Sequence, residues 1–157
     1  MAKNPNLLVQ ALIAHFDSVF EEPNGEYPAL LESLAGISVS QALWKPASNQ
    51  NSIWQIVEHL IASKEWQIEM LEHGQAASPV WVEPSGDETD WQATLTRLQD
   101  AHRQLKIFLE QLTEADLIAV PTPEEGHTLI ELLLSSRPAH EAHHGGQIDY
   151  LQGLQTG

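Results

Sequence analysis

The chain has 157 residues, no cysteine, and 22 Asp and Glu against 7 Lys and Arg, a formal net charge of −15. At that length one domain, residues 1–157, is expected, long enough to bury about 70% of its unfolded surface. Without cysteine there can be no disulfide, thiolate metal site or cysteine nucleophile, and the acidity opposes binding to nucleic-acid phosphates or anionic lipid.

No apolar run approaches the roughly 18 residues of a membrane span. Met1-Ala2-Lys3-Asn4-Pro5 lacks the basic-then-apolar layout of a signal peptide, so a cytoplasmic protein is expected. Asn4-Pro5 reads as a helix start, with proline at the first helical position. Leu7, Leu8, Ala11, Leu12, Phe16, Val19 and Phe20 continue it at helical spacing, and Pro23-Asn24-Gly25 ends it. Residues 26–51 are punctuated by Pro28, Gly36, Pro46, Asn49 and Asn51 and admit two short helices, 29–35 and 39–43. Ser52-Ile53-Trp54-Gln55 is a capping box. It opens a second long helix with apolar face Ile53, Ile56, Val57, Leu60, Ile61, Ile68 and Leu71, stopped by Gly74. A loop rich in Pro, Ser and Gly spans 75–88. Thr89 or Asp90 caps a third long helix, which Trp91, Leu95, Leu98, Leu105, Phe108, Leu109 and Leu112 carry to about Thr113. Pro121 and Pro123 mark a further loop. Thr128-Leu129-Ile130-Glu131, a second capping box, then opens a last helix towards Leu154. Pro138 should kink or divide that helix near Ser135, because proline lacks a donor and clashes with the preceding turn. There is no period-two strand pattern and no internal repeat. The expected class is all-α, four amphipathic helices around one core.

The segment with most chemical content is His140-Glu141-Ala142-His143-His144, which spells H-E-x-x-H. Residues four apart share a helix face, Cβ atoms about 5–6 Å apart, so two imidazoles can converge on one ion at about 2.0–2.1 Å. With 8 histidines in 157 residues, chance supplies roughly 0.4 such pairs, and two ordinary helix histidines remain an open reading. A zinc peptidase does not fit. One form needs Gly and His where Gln147 and Tyr150 stand. The other needs a downstream Glu, which residues 145–157 lack, and Asp149 is too close along the helix. A third ligand must come from upstream. His59 is the best candidate, with the small Ala62 and Ser63 leaving room beside it, although a hydrogen-bonded core histidine is the competing reading. His143 stays an alternative, offset by about 100° from His144. Three neutral imidazoles on one side of an ion leave positions open, as in catalytic rather than structural sites.

The remaining candidates divide more simply. His15 is expected in the core, His73 at a helix C-terminus that suits partial positive charge, and His102 and His127 on the surface. Glu141 points off the ligand face and is expected at the surface rather than as a general base. Gln147, one turn after His144, can donate to a ligand or touch substrate. Gly146 reads as allowing close helix packing, and Trp66 as a core residue or a pocket wall.

His140-x-x-x-His144-x-Gly146-Gln147, preceded by Ser52-Ile53-Trp54-Gln55-Ile56-Val57-Glu58-His59-Leu60 and by Leu43-Trp44-Lys45-Pro46, resembles the DinB/YfiT-like superfamily over essentially the whole chain. The resemblance implies an up-down-down-up four-helix bundle, commonly a homodimer, with a divalent ion such as zinc or nickel held by His59, His140 and His144. It implies no DNA binding. It points to metal-dependent transfer to a low-molecular-weight thiol, bacillithiol, mycothiol or glutathione, or else to a non-catalytic metal-binding or stress-associated module. A bundle that holds no metal is a third possibility. Two residues depart from the usual pattern, Pro138 and Gly145, and both are expected to loosen the helix that would present the metal.

Overall fold

The computed structural model describes residues 6–22, 25–120, 126–135 and 137–156. Among them are eight helices and no strand. They are α1 (Leu7–Phe20), α2 (Leu30–Leu34), α3 (Val39–Leu43), α4 (Ile53–His73), α5 (Glu88–Leu109), α6 (Glu114–Ile118), α7 (Leu129–Ser135) and α8 (Arg137–Thr156). No described helix is long and apolar enough to cross a membrane.

The helix ends follow local chemistry. Asn6 caps α1 by accepting from the Val9 amide; the expected start at Asn4-Pro5, and Pro23, Asn24, Pro121 and Pro123, lie outside the described residues. α1 stops at Phe20. Ser52 and Gln55 form the expected box on α4, and Gly74 closes it in the left-handed conformation at φ 71°. The cap of α5 differs from expectation: Asp87, not Thr89 or Asp90, accepts from the Thr89 and Asp90 amides. α5 also ends earlier than expected, at Leu109, and Thr113 caps the separate turn α6. Thr128 and Glu131 make their reciprocal bonds at the start of α7. α7 and α8 lie on either side of residue 136, so the break expected near Ser135 lies outside the described residues; Pro138 itself is helical, in the described span of α8. α8 then runs unbroken through Gly145 and Gly146, so neither departure interrupts the helix that carries the histidine pair.

The apolar core has two parts. One gathers Phe20, Leu60, Ile61, Leu98, Ala101 and Ile148 with their neighbours. The other gathers Phe16, Leu105, Leu109, Leu129 and Leu133, with Ile68 against it. A buried polar layer separates them: Asp17 between Phe16 and Phe20 on α1, Lys64 between Ile61 and Ile68 on α4, His102 between Ala101 and Leu105 on α5, and Glu141 on α8 between Leu133 of α7 and Ile148. Burying charge is tolerated only when it is paired and hydrogen-bonded, and here it is. Lys64 Nζ donates to Glu141 and sits 3.3 Å from His102 Nδ1, while His102 Nε2 lies 2.9 Å from Asp17 Oδ1. Lys106 closes the chain at the edge, donating to Asp17 Oδ2 at 2.7 Å and to Glu21 Oε1 at 3.2 Å.

This layer corrects two expectations. His102 is only 2% exposed, and burial, with Lys64 alongside, lowers its pKa to about 4 despite Asp17. A neutral His102 therefore accepts from Lys64 and donates to Asp17. Glu141 is buried too. A residue one position after a half-exposed ligand turns by about 100°, and on α8 that turn leads inward to Lys64 rather than outward to water.

Candidate metal centre

His59 comes from α4, and His140 and His144 from α8. His140 Nε2 lies 3.2 Å from His59 Nε2 and 3.1 Å from His144 Nε2. Four ligands at about 2.0–2.1 Å in a tetrahedron stand about 3.4 Å apart, so His140 Nε2 stands from each of the other two nearly as one ion would hold it, and all three ligand atoms lie within 4.8 Å of one another. The three ligand atoms form one of two groups among the described residues able to surround a metal. In the other, Asp17, Glu21 and His102, the Lys106 ammonium already bonds both carboxylates, leaving no need of a second cation.

Protonation also fits. Burial first, then His144, lowers the pKa of His59. Burial, then His144, His59, Arg137 and His143, lower His140 to about 4. Burial also lowers His144, more than its bond to Gln147 raises it. All three rings are neutral at pH 7, the form a metal requires. His144 Nδ1–H donates to Gln147 Oε1 at 2.7 Å, which fixes its tautomer and directs the Nε2 lone pair at the other two rings. Gln147 is expected to donate to a ligand from its position one turn on; it meets the ligand His144, but its oxygen accepts.

His59 is held differently. Its Nδ1 is buried and has no hydrogen-bond partner among the described residues. Its ring lies instead against Trp81, centroids 4.2 Å apart and planes within 7°. Trp81 also meets His144 edge-on at 6.1 Å. Sequence reasoning missed Trp81, which sits in an aperiodic loop.

The other candidates fall as follows. His143 is exposed and outside the converging group. His15 is half-buried and His127 exposed, and His73 ends α4 as expected. Trp66 is half-buried. It lines a cleft of about 340 Å³ with Glu58, Ala62 and Glu65 and receives Arg137 over its ring at 4.4 Å. Gly146 is exposed, with nothing within 4 Å of where a Cβ would stand, so close packing is not its reason. Two wide clefts, of about 500 and 480 Å³, contain none of the three histidines. The chemistry of the donor set, not cavity size, marks this site.

A family profile described as the DinB superfamily matches residues 25–148. No curated protein and no solved structure matches the chain.

Proposed function

The chain belongs to the DinB superfamily, and from that premise we propose a divalent-metal protein whose ion, zinc or nickel, is held by His59, His140 and His144. We further propose a metal-dependent transferase acting on a low-molecular-weight thiol, in an up-down-down-up bundle that pairs as a homodimer. The convergence of three neutral Nε2 atoms carries the reading.

When bound, a divalent ion lowers the pKa of a coordinated thiol or water towards neutrality. The protein's own residues supply the rest. Gln147 keeps the His144 proton on Nδ1. His59 and His140 are half-buried, so the ligand nitrogens are shielded yet reachable. The chain has no cysteine, which suits a thiol delivered from outside. One observation favours the alternative, a non-catalytic metal-binding or stress-associated module: Glu141, the acidic residue nearest in sequence to the pair, is engaged by Lys64 and is not free to move protons.

Elemental analysis of protein purified without a histidine tag tests the centre. About one divalent ion per chain is expected, lost in His140→Ala and His59→Ala and kept in His143→Ala. Full retention in His59→Ala would refute the ligand set. Metal-loaded protein assayed against thiols and electrophiles tests the transferase, and an absence of metal-dependent turnover across the panel favours the binding module.

A further inference from the structure

The segment between α4 and α5 crosses the histidines as an extended strap. Proline at 79 and 84 keeps Ser78 and Glu83 out of the helical region. Side chains then alternate across such a segment: Val80 and Val82 line the cleft over Glu58, Ala62 and Glu65, while Trp81 lies against His59. The strap is fastened just beyond Trp81. Glu83 accepts from Lys45 Nζ at 2.6 and 2.8 Å and from Gln55 Nε2 at 2.8 Å. Gln55 is also the residue whose Oε1 accepts from the Ser52 amide in the cap of α4. One amide thus ties the start of the helix carrying His59 to the strap carrying Trp81.

The three histidines are not oriented alike. Metal-binding histidines usually donate their second N–H to a carboxylate, carbonyl or water, which sets the angle of the ring. His144 does so through Gln147. His59 Nδ1 has no such partner among the described residues, so rotation about its χ2 angle is opposed by the indole face instead. Trp81 is 45% exposed and belongs to neither part of the apolar core. Such exposure gives a large aromatic side chain little reason to be ordered by core packing alone.

We propose that Trp81 is a positioning residue of the three-histidine centre: stacked on His59 and fastened through Glu83 to Lys45 and Gln55, it holds the His59 ring at the angle that turns Nε2 towards His140. The inference rests on the metal reading above and adds a residue outside the ligand set. It predicts a split between affinity and stability, because Trp81 acts on a ligand without supporting the core.

The test uses full-length, metal-free protein, titrated with Zn²⁺ in competition with a chromogenic chelator and melted without metal. Trp81→Ala should weaken Zn²⁺ binding about tenfold, the low end for loss of an outer-shell partner. Trp81→Phe, which keeps an aromatic face, should stay within about threefold of wild type by the same reasoning. Glu83→Ala, which frees the strap and leaves the indole, should fall between them. The metal-free melting temperatures of all three should match wild type. Ni²⁺ should quench part of the wild-type tryptophan emission, and that part should vanish in Trp81→Phe. Wild-type affinity in Trp81→Ala, or an unchanged quench in Trp81→Phe, overturns the inference and leaves the ligand set standing. A melting loss parallel to the affinity loss also overturns it, by assigning the effect to folding. Absence of Zn²⁺ binding in wild type brings down the metal reading and this inference together.

Discussion

Replacing Lys64 with methionine tests whether the polar layer holds the fold as charge pairs or as packing. The Lys64 and Glu141 side chains are 5% and 9% exposed, so water screens the pair weakly. Methionine keeps most of the lysine stem and removes only the ammonium. It leaves a buried carboxylate with no cation, and Glu141 Oε1 already lacks a hydrogen-bond partner among the described residues. Breaking a buried pair from one side costs about 3–5 kcal/mol. In a chain of this size each kcal/mol lowers the melting temperature by about 2–4 °C, giving a drop of roughly 6–20 °C. Removing both charges in Lys64→Met/Glu141→Leu leaves no stranded carboxylate. It should recover to within about 2 kcal/mol of wild type, the remainder being His102 Nδ1 without its donor. The assay is urea unfolding of metal-free protein at pH 7.5 as a double-mutant cycle, with an expected coupling of at least about 2 kcal/mol. Additive costs, or a Lys64→Met cost below about 1 kcal/mol, would show the pair to be solvated and refute the reasoning.

Acid should destabilise the metal-free protein in a defined window. His102 titrates at about 4 when folded against a usual 6.5, so the folded state binds fewer protons than the unfolded state between those values. Stability is therefore complete above about pH 6.5 and falls towards pH 4, by ~3 kcal/mol from His102 alone; urea midpoints that stay level from pH 7 to 4.5 would contradict this. Gln147→Leu removes the acceptor from His144 Nδ1–H and should weaken Zn²⁺ binding about 10–100-fold, while Gln147→Glu retains it, as read by chelator competition. Pro138→Ala should leave metal stoichiometry unaltered in elemental analysis, because α8 runs unbroken from Arg137 through His144; loss of the ion would contradict this.

What was legible in the sequence was mostly local. Ser52 with Gln55, Gly74, and Thr128 with Glu131 declare helix ends because each satisfies backbone groups within a few residues. The His140–His144 pair is legible for the same reason, since its spacing is one helical turn. His59 needed elimination, because its partner is 81 residues away. Two buried polar positions carried a periodic signal. Positions 91, 95, 98, 102, 105 and 109 share the inner face of α5, which places His102 in the core, and Lys64 falls three residues after Ile61 on the face of α4. His102 and Glu141 were the polar residues expected at the surface, whereas partners on other helices make their burial tolerable. The turn α6 also had its signal, Thr113 three residues before Asp116. Trp81 had none, since its position depends on where Glu83 finds Lys45 and Gln55.

The same two helices carry two cross-helix pairs: His59 with His140 at the half-exposed edge, and Lys64 with Glu141 in the core. The second pair tolerates little sliding, because an ammonium displaced by one helical turn, about 5.4 Å, would lose its carboxylate inside a low-dielectric core. Apolar contacts between α4 and α8 are less particular about register. The ion pair should therefore set the alignment that brings Nε2 of His59 and His140 within 3.2 Å. Its removal separates stability from site geometry. Lys64→Met/Glu141→Leu, though nearly as stable as wild type, should still bind one Zn²⁺ per chain but more weakly, by no more than the roughly tenfold that loss of a direct outer-shell partner costs at its low end, because the pair acts on the ligands only through helix alignment. Wild-type affinity in that variant would mean that apolar packing alone aligns the helices. A weakened but stoichiometric site would give the glutamate of H-E-x-x-H a use unlike that in a peptidase, aligning the histidines from inside the core.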